Sequence, residues 1–348
     1  MKDQGDNRKD FWLNHEMPRR GLFKLLSLAG GMVAAWTVLG KAGGAESGDA
    51  EGKRAPGPGL GAPGAGASDF CGNAGARSFL RYEEARPEQM RVMLKESPVA
   101  YIPFGALEWH GEHGPLGLDG LKAHCLCEAA ASRTGGVVFP AVYWGAFDTV
   151  RFPFTFNFSQ SGMQELVRES LVQIDDWGFR FIMLLTGHYP PSFQKLLREE
   201  CRLHNKTGKT LAMGAPEQVF ATDIKYLGDH AGMWETSIMM AMHPELIDLS
   251  RMPKGLSAPE RYKQYGVMGE DPAEKASPEL GRMAIAHIAD KLAKLVEETL
   301  QQGNDDAIEK AYADYEKALT IPAEIKAMDL HNLDDMVRYG IIWAREKP

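Results

Sequence analysis

Cysteine is scarce in this chain. Of 348 residues only Cys71, Cys125, Cys127 and Cys201 are cysteines, and their spacing matches no zinc-binding pattern. Cys125 and Cys127 are too close to pair in regular structure, whereas a Cys71–Cys201 bridge stays open in an oxidising compartment. Basic excess is also missing. The formal net charge is −8, and residues 1–45 hold seven Lys/Arg against four Asp/Glu, so the remainder is more acidic still. Phosphate recognition needs a basic surface, so nucleic acid is excluded as a partner. The chain contains no phosphate-cradling glycine loop, no serine-nucleophile elbow and no internal repeat. Long apolar runs are absent too: the longest, over 25–40, is about 16 residues with two adjacent glycines inside, short of the roughly 20 that a spanning helix needs.

What is present begins with that run. Arg19 and Arg20 precede it and small residues around Gly43 follow it, which describes a bacterial export signal of the twin-arginine type over 1–45. Membrane contact is then expected only during export, and the destination is periplasmic or extracellular. Residues 46–68 are rich in Gly, Ala and Pro without apolar periodicity and read as a flexible tether. The composition of the whole, 44% apolar and 25% charged, is that of a soluble globular protein.

The folded domain is expected over 69–304, with a helical extension over 305–348. A helix over 77–97 leads into a buried strand over 99–104, and a helix over 121–132 is closed by Gly135 and Gly136. Leu166, Val167, Leu171 and Ile174 recur at helical spacing, Gly178 supplies a stop, and residues 181–185 form a second buried strand. A helix over 193–204, a strand over 210–214, a Met-rich helix over 238–242 and a long helix from Ser277 and Pro278 complete the pattern. Strands separated by helices imply a three-layer α/β/α domain around a mainly parallel sheet. The aromatic stretch 141–158, with Tyr143, Trp144, Phe147 and Phe154, is expected to lie over the site as a wall, and 265–270 to form a surface turn.

The chemistry gathers at three places. Glu108, His110, His113 and Asp119 lie within twelve residues just past the first buried strand, where an open α/β sheet places its site. Glu108 and His110 are two apart and share a face of extended backbone. Gly187 and His188 follow the second buried strand in the same way. Asp229, His230 and Glu235 form the third piece. Buried carboxylates and imidazoles are the donors that suit zinc, manganese or iron.

These three pieces, in this order, resemble the creatininase family. Its Glu-x-His-Gly-x-His-Leu-Pro-Leu-x-Thr-Asp motif is matched at Glu108, His110, Gly111, His113, Leu116 and Asp119, with Leu118 in place of Thr. Its Gly-His is matched at Gly187 and His188, and His-Ala-Gly-x-x-Glu-Thr-Ser is intact from His230 to Ser237. The resemblance implies two divalent ions, one held by Glu108 and His188, the other by His110, with Asp119 between them. His230 would move protons on a small-molecule substrate whose amide-type C–N bond is hydrolysed, and the protein would be a homo-oligomer. The chain departs after His188: Tyr189-Pro190-Pro191-Ser192 lacks the carboxylate that creatininase carries there, so either Glu235, also a catalytic candidate beside His230, replaces it or the second ion is weakly held. That departure motivates a second expectation, an exported binding protein on the same fold with little catalysis.

Overall fold

Two six-residue runs, Val99–Phe104 and Phe181–Thr186, are buried along their whole length and form neighbouring strands at the middle of one sheet. The computed structural model describes residues 77–145 and 147–319. The export segment, the tether, Cys71 and positions 320–348 lie outside the described residues. In chain order the elements are β1 (Phe79–Arg81), α1 (Pro87–Glu96), β2 (Val99–Phe104), α2 (Leu118–Thr134), β3 (Gly136–Val138), α3 (Gln160–Trp177), β4 (Phe181–Thr186), α4 (Pro191–Asn205) and β5 (Leu211–Pro216). Five helices follow: α5 (Met233–Met242), α6 (Ala258–Tyr265), α7 (Pro272–Lys275), α8 (Pro278–Gln302) and α9 (Asp306–Ala318).

The sheet order is β1-β3-β2-β4-β5, and every pair is parallel. Alternation along the strands sorts the core into two layers. Val99 and Tyr101 of β2, with Phe181, Met183 and Leu185 of β4, pack against α2, α5, α8 and α9. Ala100, Ile102 and Phe104, with Ile182 and Leu184, pack against α1, α3 and α4. Each large side chain so buried contributes about 1.5–3 kcal/mol. The three-layer α/β/α architecture is as expected. Pro103 sits inside β2, where a proline ordinarily interrupts pairing. It is accommodated because β3 pairs only as far as Tyr101, and the Pro103 carbonyl instead accepts from Val142 N at 2.9 Å.

Several local expectations are corrected. Residues 77–97 are not one helix: Phe79–Arg81 pairs with Gly136–Val138 as an edge strand, and the helix starts only at Pro87, whose missing N–H suits a first helical turn. Helix α2 begins three residues earlier than expected, so Asp119 lies in its first turn rather than ahead of the helix. Leu166 lies on the exposed side of α3. The 265–270 turn is not a surface feature: Val267 is buried, and Met268 pairs with His230.

The topology positions the site. After β2 the chain moves through α2 to β3 on one side; after β4 it moves through α4 to β5 on the other. The two neighbours part at their carboxyl ends, and that opening is where doubly wound sheets bind ligands.

Candidate metal centre

Glu108 and His110 follow β2, Asp119 opens α2, His188 follows β4, and His230 and Glu235 flank the start of α5. The structure brings all six together at the β2/β4 opening, and all six are buried. Close approach depends on glycine. A Cβ at Gly105 would overlap the backbone of Gly120, and one at Gly187 would overlap the Asp119 carbonyl, so both strand ends rest directly on the first turn of α2.

Asp119 is the centre. Its Oδ1 lies 3.0 Å from His110 Nε2 and its Oδ2 lies 3.1 Å from His188 Nδ1. Glu108 Oε2 reaches the same His188 nitrogen at 3.1 Å, and Glu235 Oε2 stands 3.7 Å from His110 Nε2. Two donor triads result, Glu108/Asp119/His188 and His110/Asp119/Glu235, sharing one carboxylate. A third grouping, Glu108/His110/His230, overlaps them.

Hydrogen bonds fix the imidazoles from behind. His110 Nδ1 donates to the Glu108 carbonyl at 2.9 Å, which points Nε2 at the carboxylates, and that Nε2 has no hydrogen-bond partner. His188 Nε2 meets Thr149 Oγ1 at 3.0 Å, which leaves Nδ1 for Asp119 and Glu108. His230 Nε2 donates to the Trp109 carbonyl at 2.9 Å, leaving Nδ1 with a lone pair. Partners of this kind set the tautomer and direction of a metal-binding histidine.

The electrostatics show a site short of positive charge. Burial alone would favour a neutral Asp119, yet His110 and His188 hold it well below the usual carboxylate range. Burial opposes charging of His110 and His188 as well, but Asp119, Glu108 and Glu235 raise His110 to about 9, and Glu108 and Asp119 raise His188 to about 10. His230, which forms no ion pair with a carboxylate among the described residues, is instead lowered by burial, with the neighbouring His110 adding to the effect. Three buried carboxylates facing imidazole nitrogens fit divalent cations, whose binding displaces the imidazole protons.

His113 does not join them. Its Nε2 lies 3.1 Å from both the Ala231 carbonyl and Thr236 Oγ1, tying the first loop to the third motif. The expected aromatic wall is rearranged. Phe147 is buried against Phe104 and Phe193 in the core, Tyr143 lies against Gly120, and Trp144 and Phe154 are exposed. Phe152 is the aromatic that stacks on His230, at 5.4 Å between ring centroids, with Trp109 beside it. Sequence reasoning also missed Thr149, Lys122 and Glu217. Glu217 directly follows β5 and was findable by the strand-end rule that located Glu108 and His188; Lys122 stands three residues after Asp119 on the same helical face. Thr149 has no sequence signal.

The family model described as creatinine amidohydrolase matches residues 83–296. The creatinine amidohydrolase of Pseudomonas putida is 27% identical over 241 residues, covering 62% of this chain and 90% of that protein. Among solved structures, a Bacteroides fragilis protein with a provisional creatinine amidohydrolase assignment superposes with a TM-score of 0.53 at 24% identity, over 65% of this chain and 98% of that one. A structure described as manganese creatininase superposes with a TM-score of 0.52 at 23% identity, over 64% of this chain and 98% of that one. At these identities the superpositions establish the α/β fold; the family assignment rests on the match over more than half of the chain. The chain belongs to the creatininase family of hydrolases.

Proposed function

We propose that the protein is a metal-dependent amidohydrolase that cleaves a cyclic or linear C–N bond of a small, non-peptide molecule. The observation that carries this reading is Asp119, whose two oxygens point to imidazoles of separate triads, the arrangement of a carboxylate shared by two ions. Glu108, Asp119 and His188 would hold one ion, and His110, Asp119 and Glu235 the other, with zinc, manganese or iron as the fitting metals. When bound, such a pair of ions polarises a carbonyl and makes water a competent nucleophile near neutral pH. The protein's part is positional. Glu108, Asp119 and Glu235 offset the ionic charge, and Thr149 keeps His188 pointed inward. His230, with a free Nδ1 and a lowered pKa, takes a proton from the attacking water on that nitrogen and passes it to the leaving nitrogen. Phe152, stacked on His230, presents an apolar face beside the reacting group.

The twin-arginine pattern supports export of the folded, metal-loaded protein to the periplasm or beyond, and family membership supports a homo-oligomer. A second reading, a binding protein with little catalysis, is favoured by Pro190, which stands where creatininase carries a metal-binding carboxylate.

Elemental analysis of protein purified without chelator, beside an Asp119→Ala variant, is the test. Two ions per chain are expected in the wild type, with collapse of both in the variant. A wild type without metal would refute the hydrolase reading; two ions without turnover of any cyclic or linear amide would favour the binder.

A further inference from the structure

Lys122 is fully buried in α2, one turn after Asp119. An ammonium taken out of water is tolerated only where it is paired and hydrogen-bonded. Here Nζ lies 2.8 Å from Glu217 Oε1 and 2.6 Å from Glu235 Oε1, and it also contacts the Tyr189 hydroxyl. The Tyr189 and Tyr226 hydroxyls bond each other at 2.7 Å and both reach Glu217 Oε1. Glu217 Oε1 is thus spent on Lys122 and two phenols, while Oε2 has no hydrogen-bond partner.

Glu235 faces both ways. Its Oε1 is committed to Lys122, while its Oε2 accepts from Ala231 N at 2.8 Å and turns toward His110. An ammonium on one oxygen repels a dication on the other, and a buried pair is weakly screened. In the Glu108/Asp119/His188 triad the Lys122 charge acts only at longer range, through the shared Asp119, since none of the three members contacts Lys122 in a hydrogen bond or ion pair among the described residues.

We propose that Lys122 is a positioning residue that makes the two ion positions unequal: it fixes Glu235 as a one-oxygen ligand and loosens the ion on His110, Asp119 and Glu235. This rests on the two-ion reading above. Glu217 sets the strength of the effect, because its anion offsets part of the Lys122 charge. The two residues therefore act on the looser ion with opposite signs.

The experiment is a titration of metal-free full-length protein with zinc ion in competition with a chromophoric chelator, which needs no substrate. The wild type is expected to bind in two steps, the second weaker by about tenfold or more. Lys122→Met is expected to tighten the second step by about tenfold, Glu217→Gln to loosen it by a similar factor, and Lys122→Arg to keep the wild-type pattern, all with the first step unchanged. Structural damage would move both variants the same way, so shifts of one sign overturn the inference. If Lys122→Met fails to fold, the sign of the Glu217→Gln shift decides, because Gln keeps the hydrogen bonds to the phenols. Two steps that ignore all three substitutions overturn the inference alone; one step or none in the wild type overturns the two-ion reading with it.

Discussion

His113 shows how one buried imidazole can serve the site without touching it. Burial, reinforced by the neighbouring His110, holds its pKa down to about 4 against an ordinary 6.5. A depressed histidine pKa means that the unfolded chain binds the proton more readily. Its contribution, about 3 kcal/mol, is therefore complete above pH 6.5 and is lost as the pH falls toward 4. Denaturant midpoints at pH 7.5 and pH 4.5 are expected to differ by less in His113→Asn than in the wild type; an equal difference would show that His113 is not the acid-labile group. The same residue marks how far motif reading reaches. Spacing placed His113 beside Glu108 and His110 as a metal-type residue, but spacing does not tell a ligand from a tie: what separates them is whether a carbonyl such as that of Ala231 arrives from elsewhere in the chain. Glu108, His110, Asp119 and His188 were readable because each follows a strand end or opens a helix. Lys122 was not, because a lysine in a helix is ordinarily solvated, and only the arrival of Glu217 and Glu235 from two other elements makes burial tolerable.

At the scale of elements, the contact that assembles the site is between the ends of β2 and β4 and the first turn of α2. Gly105 is the tightest point, since every near neighbour of an added Cβ is backbone of Asp119 or Gly120 and none can rotate away. Gly105→Ala is expected to push α2 off the sheet, to cost about 1–3 kcal/mol in a thermal melt, and to lower metal content by displacing Asp119. A variant with wild-type melting and full metal content would show that the two elements are not held at this distance. The buried strands were legible because β2 and β4 are apolar on both faces, which only a central parallel strand requires. The edge strand β1 was not: Phe79-Leu80-Arg81 is too short to show a period, and its partner Gly136–Val138 lies more than fifty residues away. The aromatic stretch failed for a related reason. Composition puts many rings near the opening, but which ring turns inward depends on tertiary ties, among them the Thr155 Oγ1 contact to Trp109 N and the Asn157 side chain on the Thr149 backbone.

At the scale of the molecule, the centre joins the carboxyl ends of two central strands to the starts of α2 and α5, which belong to the same helical layer. Three carboxylates are gathered there, and among the described residues only one of them, Glu235, forms an ion pair with a lysine or arginine, Lys122. Protonated His110 and His188 offset part of that charge, but an ion that binds the folded chain and not the unfolded one adds stability by mass action. At free metal near a thousandfold above Kd this amounts to about 4 kcal/mol, and at roughly 2–4 °C per kcal/mol for a domain of this size it moves Tm by about 10 °C. Dialysis against chelator is therefore expected to lower Tm by about that amount, and zinc or manganese to restore it. Asp119→Ala, which removes the shared ligand, is expected to melt at one temperature with and without metal. A wild-type Tm indifferent to chelator, in protein shown to have lost its metal, would mean that the six residues hold their places without an ion and that the centre is preorganised by the protein alone.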